Sequence, residues 1–197
     1  MSKQVEFFFD FGSPTSYLAY TQLPGIAAQC RAGIVWRPML LGGVFKATGN
    51  QSPVTIPAKG KWMFGDLARW ARRYGVTLAT NPYFPVNTLT LMRGAIGLQL
   101  RQRERFLPYV ELMFRTMWEQ SVNLNDPAVV AATLQGAGFD AAAFTALVGD
   151  PEVKAKLIAN TEEAVARGVF GAPTMFVGNE MFFGQDRLDF VREALQS

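Results

Sequence analysis

Residues 9–20 read FDFGSPTSYLAY, and the change of character along this stretch decides the fold. Upstream, Val5 to Phe9 are nearly all strand formers. Ser13-Pro14 is a helix opening, because a Ser hydroxyl caps free N–H groups and Pro presets φ for the first turn. A strand therefore ends and a helix begins around Ser13. That places the hydroxyl at the positive end of a helix dipole, among unpartnered backbone N–H groups, where an anion is stabilised. Ser13 either caps the helix alone or also holds a ligand.

Outward from this point, Tyr17, Leu18, Leu23 and Ile26 give helical spacing from Pro14 to about Arg31, with Pro24-Gly25 expected to bend or break the helix. A second strand, Ile34 to Met39, follows Gly33 and completes a β-α-β unit, whose strands are parallel with a right-handed crossover. Residues 42–60 (GGVFKATGNQSPVTIPAKG) show neither period and read as a long loop, of a length usually functional or disordered. Helical patterns then run over Trp62–Tyr74, Asn87 to about Arg103, Arg105–Glu119, Pro127–Gly136, Ala141–Val148 and Pro151–Arg167. Phe106, Val110, Met113, Phe114, Met117 and Trp118 form one apolar stripe, read as core. At the C-terminal end, Pro173–Val177 and Met181–Phe183 are short apolar runs joined by Gly178-Asn179-Glu180, a hairpin turn. Gly184-Gln185-Asp186 leads into a last helix, Arg187–Leu195.

The order β-α-β, helical block, β-β-α is that of an α/β thioredoxin-like fold with an all-helical insertion domain. Residues 1–41 and 169–197 form the thioredoxin-like domain in two segments. Residues 42–168 supply a linking loop and the insertion, whose last helix packs back toward the thioredoxin half. Pro173 opening a strand removes no ladder N–H. In thioredoxin-like proteins the corresponding bond is cis, and the residue before it, here Ala172, offers its backbone to a ligand. The sequence does not set the isomer of the Ala172–Pro173 bond.

Composition excludes several classes of chemistry. The 197 residues contain no histidine, which removes Ser-His-Asp triads, Cys-His pairs, His-bound zinc and an imidazole base; no metal site is expected. Cys30 is the single cysteine, so there is neither an intrachain disulfide nor a Cys-x-x-Cys redox pair. That usage suits a reducing compartment, and with no signal-like N-terminus and no apolar run of about 18 residues, a cytoplasmic location without membrane association is expected. The net charge of +3 is scattered, and the densest basic run, Arg101–Arg105, is interrupted by Glu104, so nucleic acid is not an expected partner.

The segments FDFGSPTSYLA (9–19), GNQSPVTIPAKGKWMFGDLARWARRYG (49–75), NPYFPVNT (81–88) and GVFGAPTMFVGNEMFFGQDRL (168–188) together resemble the 2-hydroxychromene-2-carboxylate isomerases. Those proteins are related to kappa-class glutathione transferases and more distantly to DsbA oxidoreductases. The resemblance implies a homodimer that binds glutathione as cofactor, with Ser13 as the active-site serine stabilising its thiolate. It further implies that Asn50 and Lys59 reach the tripeptide, that Ala172, before Pro173, pairs with it through its backbone, and that Gln185 and Asp186 receive the γ-glutamyl end. Thr15 departs from the family, where an aromatic often follows Ser-Pro, and Gln185 stands where kappa-class relatives tend to have Ser. The implied reaction interconverts 2-hydroxychromene-2-carboxylate and trans-o-hydroxybenzylidenepyruvate in aromatic degradation, with the thiol regenerated. Such a small aromatic carboxylate calls for a cation, for which Lys46, Lys59, Lys61 and Arg93 are available. Trp62, Phe84 and Trp118 are read as core, with an aromatic pocket as the alternative. A kappa-like transferase or peroxidase acting on electrophiles, and a non-catalytic DsbA-like binding module, are the competing readings.

Overall fold

The computed structural model describes residues 3–197. Strands β1 (Gln4–Phe9) and β2 (Gly33–Pro38) flank helix α1 (Pro14–Gln29); β3 (Thr174–Val177), β4 (Glu180–Phe183) and a final helix close the sheet much later in the chain. The sheet order is β2-β1-β3-β4. β1 runs parallel to β2 with Phe7 opposite Trp36, and antiparallel to β3 with Phe8 opposite Thr174. β3 and β4 are antiparallel across the Gly178-Asn179 turn.

Central β1 is covered on both faces, which explains its nearly unbroken apolar sequence. Phe7 and Phe9 pack with Leu18 and Phe114 on one side, and Phe8 joins Met39, Val44, Ala164 and Phe176 on the other. All three phenylalanines are fully buried, each worth roughly 1.5–3 kcal/mol by area.

Between the two halves of the sheet lie α2 (Leu41–Thr48), α3 (Pro57–Tyr74), α4 (Leu89–Arg101), α5 (Arg103–Trp118), α6 (Pro127–Gly136), α7 (Ala141–Gly149) and α8 (Pro151–Ala166), with α9 (Leu188–Gln196) at the end of the chain. The expected apolar stripe of α5 is buried from Phe106 to Trp118. α8 packs back on β2 and α2.

Two expectations need correction. Pro24 does not break α1: Pro24 and Gly25 both lie on its exposed face, while Leu23, Ile26 and Ala27 hold the opposite face in the core. Residues 42–60 are not one long loop, since they contain most of α2, a 3₁₀ turn at Pro53–Thr55 and the first turn of α3. Leu40, at the cap position of α2, supplies no side-chain cap. The cap comes from far away in sequence, with the Leu41 N–H donating to Oδ2 of Asp10 at 2.8 Å. Local pattern cannot carry such a signal.

Candidate active site

Ser13 caps α1, accepting at Oγ a 3.0 Å hydrogen bond from the N–H of Ser16, while its carbonyl accepts from Tyr17. Pro14 has no N–H to satisfy. Of the first-turn donors, the N–H of Thr15 is left without an acceptor among the described residues. The loop before the helix is fixed from several directions. Gly12 donates to Oδ1 of Asp10 at 2.8 Å, and the buried Trp118 indole donates to the Phe11 carbonyl at 2.8 Å. A Cβ on Gly12 would lie 3.2 Å from Thr88 at the start of α4. The helical insertion therefore helps to hold the loop that presents Ser13.

Across the site, the Ala172–Pro173 bond is cis, as is Phe84–Pro85, a bond the sequence reading did not single out. The Ala172 carbonyl receives two hydroxyls, Ser13 at 3.0 Å and Thr15 at 2.9 Å, and those hydroxyl oxygens are themselves 2.9 Å apart. Its N–H has no acceptor among the described residues. A Cβ on Gly171 would approach the Phe183 ring to 2.8 Å, so a side chain there would have to displace that ring.

These groups border a cavity of about 430 Å³, lined among others by Ser13, Thr15, Asn50, Ala172, Gln185 and Asp186. That volume lies in the range of small-molecule sites, roughly 300–1,000 Å³. Trp62 and Phe84 also line it, while Trp118 is fully buried behind the loop. Asn50 donates its side-chain amide to the Phe170 carbonyl at 2.8 Å, so it braces the approach to Ala172 as well as facing the cavity. Gln185 is 6% exposed; Tyr74 of α3 donates to its backbone carbonyl at 2.6 Å. Asp186 pairs with Arg187 at 2.6 Å, its carboxylate folded against Gly184. Gly184 has φ +98, and a Cβ there would lie 2.5 Å from Asp186 Oδ1.

Other named residues lie elsewhere. Lys59 is in the exposed first turn of α3 and does not line the cavity, nor does the buried Pro173. Lys46 and Lys61 are exposed and also absent from the wall. Arg93 borders a different, largely apolar cavity of about 420 Å³ between α2, α4 and α8. The charged residues that do line the Ser13 cavity are Asp66 and Asp186. Sequence reading took Thr15 as a departure only, and did not single out Asp10. Thr15 is two residues beyond the cap, and only the cross-chain partner Ala172 reveals what its hydroxyl does. Among the described residues there is no cluster of three or more His, Cys, Asp or Glu placed to hold a metal, and no helix long and apolar enough to cross a membrane.

A strand-to-helix turn presenting a hydroxyl against the residue before a cis-proline, with helices inserted between the two halves of the sheet, defines a thioredoxin-fold protein. Residues 4–196 match the family described as the DSBA-like thioredoxin domain. The chain is 33% identical over 197 residues to a 2-hydroxychromene-2-carboxylate isomerase of Sphingobium xenophagum, covering 99% of both chains. It is 28% identical over 206 residues to glutathione S-transferase kappa 1 of Caenorhabditis elegans, covering 98% of this chain and 91% of the relative. A solved 2-hydroxychromene-2-carboxylate isomerase superposes with a TM-score of 0.83 at 32% identity, over 98% of this chain and 94% of that one. The chain belongs to the 2-hydroxychromene-2-carboxylate isomerase family, within the DSBA-like thioredoxin proteins.

Proposed function

We propose that this chain is a glutathione-dependent isomerase interconverting 2-hydroxychromene-2-carboxylate and trans-o-hydroxybenzylidenepyruvate. The observation that carries the reading is the Ser13 hydroxyl, 3% exposed and fixed between the Ser16 N–H and the Ala172 carbonyl on the wall of a ligand-sized cavity. The full-length similarity to relatives named for that isomerisation supports it. The chain has no histidine and no cysteine in this cavity, so its own side chains offer no ready nucleophile. The residues fit the backbone of an extended peptide such as glutathione: the N–H groups of Thr15 and Ala172 have no acceptor among the described residues, and Asn50, Gln185 and Asp186 line the same space.

When bound, glutathione supplies a thiolate that adds reversibly to the conjugated substrate and so permits rotation about a former double bond. Ser13 would donate its hydroxyl to the sulfur at the positive end of α1, favouring the ionised form. A free thiol titrates near 8.5, and each unit of lowering corresponds to about 1.4 kcal/mol, within reach of one charge-assisted hydrogen bond plus a helix terminus. Ala172 would pair with the peptide backbone, and Gln185 with Asp186 would orient its amino end. Trp62, Phe84 and Phe183 would flank the aromatic substrate and exclude water.

A second reading, a kappa-like transferase, is favoured by the acidic charged lining, which gives an aromatic carboxylate no cation in the cavity wall. One assay separates the two: 2-hydroxychromene-2-carboxylate is supplied in excess over a trace of glutathione, and product and total thiol are followed together. The isomerase reading predicts many conversions per glutathione with thiol unchanged. Thiol consumption in step with an electrophile supports the transferase, and no conversion at any glutathione concentration overturns the isomerase reading.

A further inference from the structure

Three oxygens meet at the mouth of α1: Ser13 Oγ, Thr15 Oγ1 and the carbonyl oxygen of Ala172, with separations of 2.9, 2.9 and 3.0 Å. Two hydroxyl protons serve these three contacts, so one contact carries no proton at any moment. A carbonyl has two lone pairs and accepts both hydroxyls, which leaves the Ser13–Thr15 contact as the one that can go without. Ser13 Oγ already accepts from the Ser16 N–H at 3.0 Å, which keeps its single proton available for donation. The Ala172 carbonyl belongs to a buried residue, and leaving it without a donor carries a desolvation penalty.

We propose that Thr15 is a positioning residue that keeps the Ala172 carbonyl satisfied while the Ser13 proton turns toward a bound thiolate. The inference rests on the glutathione reading above and adds a role that Ser13 alone does not require. With Thr15 present, the Ser13 proton can leave the Ala172 carbonyl for the sulfur, because Thr15 continues to donate to that carbonyl. Without the Thr15 hydroxyl, the Ser13 proton is claimed by two acceptors at once, and its support for the thiolate weakens. The thiol proton itself leaves to solvent; nothing in the triangle needs to take it up.

The test is the ultraviolet absorbance of the thiolate of bound glutathione as a function of pH, at equilibrium and without substrate, in wild type, Thr15→Val, Thr15→Ser, Ser13→Ala and the Ser13→Ala/Thr15→Val double variant. Thr15→Val keeps shape and removes the hydroxyl; the expected result is an upward shift in the bound thiol's apparent pKa of about one unit. Thr15→Ser restores the wild-type value. In the Ser13→Ala background, Thr15→Val produces no further shift, because Thr15 acts through Ser13. A Thr15→Val curve equal to wild type, even with weaker binding or a lower melting temperature, reduces Thr15 to a packing role and overturns the inference while leaving the glutathione reading intact. An additive shift in the double variant also overturns it, since Thr15 would then donate to sulfur directly. If wild type fails to ionise bound glutathione, the glutathione reading falls first and this inference with it.

Discussion

The indole N–H of Trp118, the last residue of α5, donates to the backbone carbonyl of Phe11 at 2.8 Å inside a fully buried contact. A side chain of the helical insertion thus ends on the loop that presents Ser13, only two residues away. Trp118→Phe keeps the aromatic bulk but leaves the Phe11 carbonyl without this donor, at an expected cost of about 1–3 kcal/mol. Glutathione affinity should fall as well, because the Ser13 loop loses a tether. Denaturant unfolding together with calorimetric titration checks both; unchanged affinity would show that the loop is held adequately by Asp10 and Thr88.

Asp10 reports on the same loop through pH. Burial raises its carboxyl above the usual 3.8, against the hydrogen bonds from Leu41, Gly12 and Thr88 that favour the charged form. The folded chain then holds this proton more tightly than the unfolded chain, so the contribution of Asp10 to stability falls as pH rises from 3.8 through the raised folded-state value. Asp10→Asn removes that slope while also giving up one of two carboxylate acceptors. Any deficit of the variant relative to wild type should narrow as pH rises through this window. Denaturant midpoints across this window measure it, and a gap that widens with pH contradicts the assignment.

Close helix packing in the insertion gives a prediction of opposite sign to intrinsic propensity. On an exposed helix, Gly→Ala gains about 1 kcal/mol. At Gly94 of α4 a Cβ would meet the Tyr109 hydroxyl and the Phe144 ring, each at 2.5 Å. Overpacking of this kind costs about 1–3 kcal/mol, so Gly94→Ala should destabilise the protein overall. Thermal unfolding decides, a raised melting temperature being the contrary result.

Asn50 braces Phe170 from an exposed position, so its loss should matter little to stability and more to binding. Asn50→Ala is expected to change unfolding free energy by less than about 1 kcal/mol. Glutathione affinity should drop severalfold, because the Phe170–Ala172 segment loses its brace and the cavity loses an amide. Equal affinities would confine Asn50 to the loop.

Much of this was legible in the sequence because the decisive signals are local. The apolar run ending at Phe9, the Ser13-Pro14 helix opening, the α5 stripe and the Gly178-Asn179 hairpin each announce themselves within a few residues. The order of those elements then implies the fold. What escaped depends on partners distant in the chain. Helix α2 begins without a cap of its own and borrows Asp10, 31 residues earlier. Thr15 looks like an ordinary first-turn residue until Ala172, 157 residues later, arrives beside it. Pro24 reads as a breaker, and only its exposed placement explains why α1 continues. Among the residues implied by the family resemblance, Ser13, Asn50, Ala172, Gln185 and Asp186 share one cavity wall, whereas Lys59 stands outside it.

The most direct measurement is a titration of the protein with glutathione near neutral pH, following thiolate absorbance for wild type and Ser13→Ala. The account predicts that wild type binds and ionises the thiol, and that Ser13→Ala still folds, at a capping cost of about 0.5–2 kcal/mol, but loses that ionisation. Thiolate formation that is the same in both proteins, or no binding by wild type at millimolar glutathione, would contradict it and leave Ser13 a helix cap.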